Sequence, residues 1–210
     1  VFSISDHSVN ELKQLSQNKH KYVNTNMKFE TIYLGGDLKK SSTHSADQNR
    51  QKKTILMVAR FEPRKNIRRI LKAVDLLHSE GLSFNFDIIG NPGWLQEYII
   101  ADIHELQAKG LSISYSMRVS DTELVEKYLN CDFTIFCSIT EGFGLPIIES
   151  VLLGKPCLTA NSGSQFEIGN KIGGCDYANP LDYDDIAKKI KRLILDKDYF
   201  NSKLNEARSA

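Results

Sequence analysis

The run Glu141-Gly-Phe-Gly-Leu-Pro-Ile-Ile-Glu149 sets two carboxylates on either side of a glycine pair. Glycine lets the backbone approach a ligand closely. Unpaired N–H groups at the start of a helix attract an anion such as a diphosphate. Pro146 falls in the first turn of the helix expected here, where a missing N–H costs nothing. Two carboxylates beside a diphosphate would repel it unless each faces hydroxyls. A carboxylate only accepts hydrogen bonds and suits a vicinal diol. Glu149 lies about one turn inside the helix, and helical side chains lean back toward the N-terminus. It is placed for a ribose. Glu141, across the glycines, would face a transferred sugar, with Gly142, Phe143, Gly144 and Leu145 binding the donor between them. Either glutamate alone would read as a solvated helix residue or a loop cap. Their bracketing of Gly-Phe-Gly-Leu-Pro at a strand-to-helix junction favours a site.

A second loop, Val58-Ala-Arg-Phe-Glu-Pro-Arg-Lys-Asn66, leaves an apolar strand and enters a helix. Arg60 and Lys65 there could clamp phosphate oxygens and stabilise charge developing on a leaving diphosphate. We therefore count Arg60, Lys65 and Glu141 as the catalytic candidates. Arg64, Arg68 and Arg69 are assigned to a solvated basic face. Gly90-Asn-Pro-Gly93, Asn161-Ser-Gly-Ser164 and Met117–Val119 also fall at strand ends, and the last could contact a base through its backbone. Glycine at a strand exit is common in any fold of this kind.

Other chemistries lack their residues. There is no G-x-G-x-x-G, G-x-x-x-x-G-K-[ST] or G-x-S-x-G, so dehydrogenase, P-loop and hydrolase readings lack their loops. A glycosidase would also pair two glutamates, but it has no need of phosphate-binding glycines and upstream cations. The histidines show no metal-ligand spacing. Cys131, Cys137, Cys157 and Cys175 form no C-x-x-C pair and read as buried free thiols in a reducing cytosol.

The elements that position these loops alternate in period. Strands are expected at Phe2–Ser5, Thr31–Leu34, Thr54–Val58, Phe86–Ile89, Leu111–Ser114, Phe133–Phe136, Pro156–Thr159 and Cys175–Tyr177. Helices are expected at Ser8–Leu15, after Asn66 as cap, over Trp94–Lys109, over Thr122–Tyr128 after Asp121 as cap, over Leu145–Leu153, after Asp182 or Asp184, and near Tyr199–Ala207. Lys39–Lys53 is polar, aperiodic and loop-like. Such alternation calls for an α/β fold, a Rossmann-like parallel sheet flanked by helices. Ligands of such sheets bind beyond the carboxyl ends of the strands. Net charge is +1 over 210 residues, so no global field draws the chain to nucleic acid. No apolar run is long enough to span a bilayer, and no secretory signal pattern opens the sequence. A cytoplasmic location is expected. The chain opens on Val, which predicts an excerpt of a longer polypeptide.

Taken together, Glu141–Glu149 with its internal Gly-Phe-Gly-Leu-Pro and the upstream Arg60…Lys65-Asn66 resemble glycosyltransferase family 4, the retaining group with the GT-B fold. Val119-Ser-Asp-Thr-Glu-Leu124, Gly154-Lys-Pro156 and Ala178-Asn-Pro180 match it in the same order. The resemblance covers residues 54–195. It implies that 1–37 is the remnant of an N-terminal domain with the crossover, and that 38–210 is the C-terminal sugar-nucleotide-binding domain. It implies a nucleoside diphosphate sugar as donor, with Arg60 and Lys65 on the diphosphate. The backbone at Phe143–Leu145 would meet phosphates and sugar, Glu149 the ribose, and Glu141 the sugar ring. No cofactor and no metal are required, and the leaving diphosphate helps deprotonate the acceptor on the same face. The acceptor would be a saccharide or lipid-linked saccharide, bound by the N-terminal domain of a full-length protein peripheral to the inner face of a membrane. The general look of the motif points to a mannosyl donor in surface polysaccharide assembly. This chain alone would bind nucleotide weakly and transfer little sugar. Ala59 stands where the family usually has Gly, and Phe166 where it has Pro. Two other readings remain open: a non-catalytic nucleotide-sugar-binding scaffold, and a related GT-B enzyme such as a sugar-nucleotide epimerase. A phosphorylase would carry a cofactor lysine motif that is absent.

Overall fold

The computed structural model describes residues 1–18, 28–35 and 52–210. The strand β3 (Thr54–Val58) is continuously apolar because both of its faces are covered. Ile55 and Met57 face one side, packing with α2 (Ile67–Ser79), α3 (Gln96–Ala108) and α7 (Tyr183–Leu195). Leu56 faces the other, against Tyr128 of α4 (Asp121–Asn130). On α2 the positions Ile67, Ile70, Leu71, Val74 and Leu77 are all buried, as their helical spacing requires.

The sheet is completed by β4 (Asn85–Gly90), β5 (Ser112–Met117), β6 (Phe133–Phe136), β7 (Cys157–Ala160) and β8 (Cys175–Ala178), all parallel, in the order β5-β4-β3-β6-β7-β8. The chain runs outward from β3 to β5, then crosses back and runs outward on the other side from β6. Loops leaving β3 and β6 therefore diverge and open a crevice at the carboxyl ends, the usual ligand position in this topology. α5 (Leu145–Leu152), α6 (Gly163–Ile172) and α8 (Lys197–Arg208) complete the chain. All four cysteines are free and buried, and burial pushes the Cys131 and Cys137 thiols up to about 12.

Several expectations are corrected here. α6 was not foreseen; Asn161–Ser164 leads directly into it. Asp121 does not cap α4. Ser120 does, in a capping box with Glu123. Asp182 rather than Asp184 caps α7. At the N-terminus β1 (Phe2–Ser3) pairs in parallel with β2 (Glu30–Thr31), both shorter than expected, and α1 (Asp6–Asn18) lies between them in sequence. The 37/38 domain boundary, Gly36-Asp37 and most of the 39–53 loop lie outside the described residues.

The N-terminal segment docks on the sheet domain through α6. The Glu167 carboxylate accepts the N–H groups of Asp6 and His7, at 3.0 and 2.8 Å, and so caps α1. The Tyr33 hydroxyl donates to the same carboxylate at 2.7 Å.

Candidate donor-binding site

The loop that leaves β6 is tied down carbonyl by carbonyl. Phe136 O accepts from Thr159 Oγ1 at 2.9 Å, and Cys137 O from Asn66 Nδ2 at 3.0 Å. Ser138 exchanges two bonds with the Gln165 amide, at 2.9 and 3.0 Å. Glu141 O accepts from Ser164 Oγ at 2.7 Å, and Gly142 O from Ser5 Oγ at 2.8 Å. Five side chains from four segments thus fix one loop. Ser164 ends the Asn161–Ser164 segment noted at a strand exit, and Gln165 follows it on helix α6 with no motif to mark it. Gly144 ends the loop at φ 122°, where glycine is favoured. Among the described residues no acceptor engages the N–H groups of Gly142, Phe143 or Gly144. They lead into the positive end of α5.

The loop after β3 joins this one at three points. Ile139 N donates to Arg64 O at 2.9 Å. Lys65 Nζ lies 2.5 Å from Glu141 Oε1, and Arg64 Nη1 lies 2.9 Å from Glu141 Oε2. Arg64 Nε also reaches Glu62 Oε1 at 2.6 Å. Arg64 is therefore no bystander on a solvated face, although part of its side chain is in water. Arg68, paired with Asp102, does lie on an exposed face. Arg69 is half-buried, its Nη1 donating to Asn66 Oδ1 at 2.7 Å.

The third joint is Asn66, which corrects another expectation. Its side chain caps no helix. The residue adopts φ 64°, a left-handed conformation that asparagine tolerates better than most residues. Its buried amide donates to Cys137 O and to Pro180 O, at 3.0 and 2.6 Å. It therefore holds Lys65 at the mouth of the second loop. Arg60 is exposed and has no ion pair among the described residues. Ala59, where the family usually has Gly, is buried, and its carbonyl lies close against Gly90 of β4. A Cβ built on Gly90 would lie 1.8 Å from Ala59 O.

Glu149, on α5, is not free. Its Oε2 accepts from Tyr128 OH at 2.7 Å. Tyr128 is fully buried. Burial raises the Glu149 carboxyl above its ordinary value of 4.5, and the tyrosine bond opposes that only in part. The fold thus favours the protonated form. Stability associated with Glu149 is full in acid and declines as pH rises from the usual carboxylate range through the raised value. Glu149→Gln should therefore raise the thermal midpoint of the unliganded protein at neutral pH. At pH 4 the two proteins should converge. Parallel melts of both across that range check this, and a Gln variant less stable at pH 7 would contradict it.

Of the residues singled out from sequence, Lys65, Glu141 and the Gly142–Leu145 backbone meet at the switch point. Glu149 and Arg60 border it. No group of three or more His, Cys, Asp or Glu among the described residues could hold a metal ion. No helix among them is long and apolar enough to cross a membrane.

A parallel sheet in this order, with cations after its first strand and a glycine-opened helix after its fourth, is a Rossmann-like domain of the GT-B type. The chain belongs to the glycosyl transferases group 1 family, whose sequence profile matches residues 40–209. It is 32% identical to the serotype-specific mannosyltransferase WbdA of Escherichia coli over 105 residues, which are 50% of this chain and 13% of that protein. It is 32% identical to O-antigen chain mannosyltransferase B of E. coli, over 67% of this chain and 36% of that one. The chain therefore spans a minor part of these relatives' length. Among solved structures, sucrose-phosphate synthase from Thermosynechococcus elongatus superposes with TM-score 0.77 at 16% identity, covering 100% of this chain and 52% of that one. HepE from Anabaena, solved with UDP and glucose, superposes with TM-score 0.77 at 19% identity, covering 100% and 57%.

Proposed function

We propose that this chain is the donor-binding part of a retaining glycosyltransferase of family 4. It would bind a nucleoside diphosphate sugar, without metal, at the switch point between β3 and β6. The observation that carries this is the row of unengaged N–H groups at Gly142–Gly144, set at the positive end of α5 next to the carboxylate that pairs with Lys65. An anion is the natural partner of such a row. Lys65 and Arg60 would neutralise charge as the diphosphate leaves. Glu149 would accept from ribose hydroxyls and Glu141 from the sugar. The mannosyltransferase relatives support a hexosyl, and specifically mannosyl, donor and a role in surface polysaccharide assembly, which we place at the cytoplasmic face of a membrane. The UDP-bound neighbour supports a nucleotide in the crevice. Residues 1–37 would belong to the preceding domain and crossover, which binds the saccharide or lipid-linked saccharide acceptor. Transfer then requires the longer polypeptide.

A calorimetric screen of UDP, GDP and ADP with their sugars tests the reading directly. One nucleotide should bind and raise the thermal midpoint, and the response should disappear in Glu149→Ala. Silence toward every nucleotide would overturn it in favour of a scaffold.

A further inference from the structure

The strongest polar contact in the site is one that a donor would have to break. Glu141 gives one oxygen to Lys65 and the other to Arg64, at 2.5 and 2.9 Å. Arg64 is shared in turn with Glu62 at 2.6 Å. Four charges in the site thus cancel. The Lys65 and Glu141 side chains are only 12% and 9% exposed, so water screens the pair poorly. The backbone does not let the partners drift apart. Ser164 holds Glu141 O at 2.7 Å, and Ile139 N holds Arg64 O at 2.9 Å. Any change of partner is made by the side chains alone.

We infer that Glu141 is a specificity-determining residue that separates the sugar-bearing donor from the bare nucleoside diphosphate. The inference rests on the donor-site reading above. A phosphate that takes Lys65 must displace the Glu141 carboxylate. A bare nucleoside diphosphate gives that carboxylate nothing in place of Lys65, and Arg64 alone is left to face two anions. A donor brings sugar hydroxyls, which donate to an acceptor-only group. The displaced carboxylate then exchanges a cation for hydroxyls, and its hydrogen bonding is restored. The exchange favours donor over spent nucleotide, so it favours release of the product after transfer. It gives the glutamate a role in the empty and product-bound states as well as against the sugar.

The test is the affinity of Glu141→Gln for UDP and GDP and for their glucose and mannose derivatives, measured by calorimetry. Removing the competing charge should tighten the bare nucleotide by about tenfold and weaken the nucleotide sugar by about tenfold. Glu141→Asp keeps the charge but shortens its reach. It should tighten the bare nucleotide by a smaller factor, and it serves where the Gln variant fails to fold. If both variants bind the bare nucleotide no better than wild type while Lys65→Ala loses it, the exchange is wrong and the donor site stands. If Lys65→Ala binds as wild type does, the donor-site reading itself fails.

Discussion

Lys65→Ala should weaken nucleoside diphosphate binding by about a hundredfold, or ~2.7 kcal/mol, and abolish transfer in the full polypeptide. The ammonium is the less exposed of the two cations on Glu141. It sits over the Phe136 ring, 5.1 Å from its centroid. Lys65→Arg should therefore not restore binding, because a planar guanidinium does not occupy the place of a point charge. Stability should change little, since Glu141 keeps Arg64. Titration calorimetry beside a thermal melt separates the two effects. Affinity preserved in the alanine variant would remove the diphosphate from this loop, and a fall of about 10 °C in midpoint would make Lys65 a structural residue instead.

Gly90→Ala should be the most damaging single methyl in the domain. The added Cβ would lie 1.8 Å from Ala59 O and 2.6 Å from Ala59 C, both backbone atoms. The two chains cannot separate freely, because Ala59 N donates to Ile89 O at 2.8 Å and Phe61 N to Asn91 O at 3.0 Å. Relief requires parting β3 from β4 at their carboxyl ends, beside Arg60. A cost of about 3–5 kcal/mol follows, with a drop on the order of 10 °C in the midpoint. Circular dichroism melts measure it directly. A variant within about 2 °C of wild type would show that the strands part at almost no cost.

The skeleton of this site was legible because it rests on local rules. β3 and β6 are apolar runs covered on both faces, and α5 announces itself by glycine followed by proline. Those signals reside within a few residues of each other. What escaped is decided at a distance. Asn66 has the composition of a cap, yet Cys137 and Pro180 claim its amide from far along the chain. Glu149 lies on the expected helix, but its partner Tyr128 sits on another. Helix α6 is polar and carries Gly163 and Gly169, both poor helix formers. Gly169 is needed where a Cβ would approach the Tyr177 hydroxyl at 3.1 Å and Cys175 Sγ at 3.2 Å. Packing against α5, α1, β7 and β8 holds that helix, in place of propensity. The mutual neutralisation of Arg64, Lys65 and Glu141 follows from distances that residue types alone do not contain.

The seam between β3 and β6 has a mechanical meaning. In register β3 matches β4 over five residues, Thr54 to Val58, but matches β6 only at Ile55↔Phe133 and Leu56↔Thr134. The chain completes β3, β4 and β5 before it makes any part of β6. The sheet is thus two consecutive halves sewn together by a short central stitch. A diphosphate gripped by Lys65 from one half and by Gly142–Gly144 from the other would span that stitch from above. The nucleotide would then act as a clasp, laid across the joint where the two halves of the sheet share their shortest register.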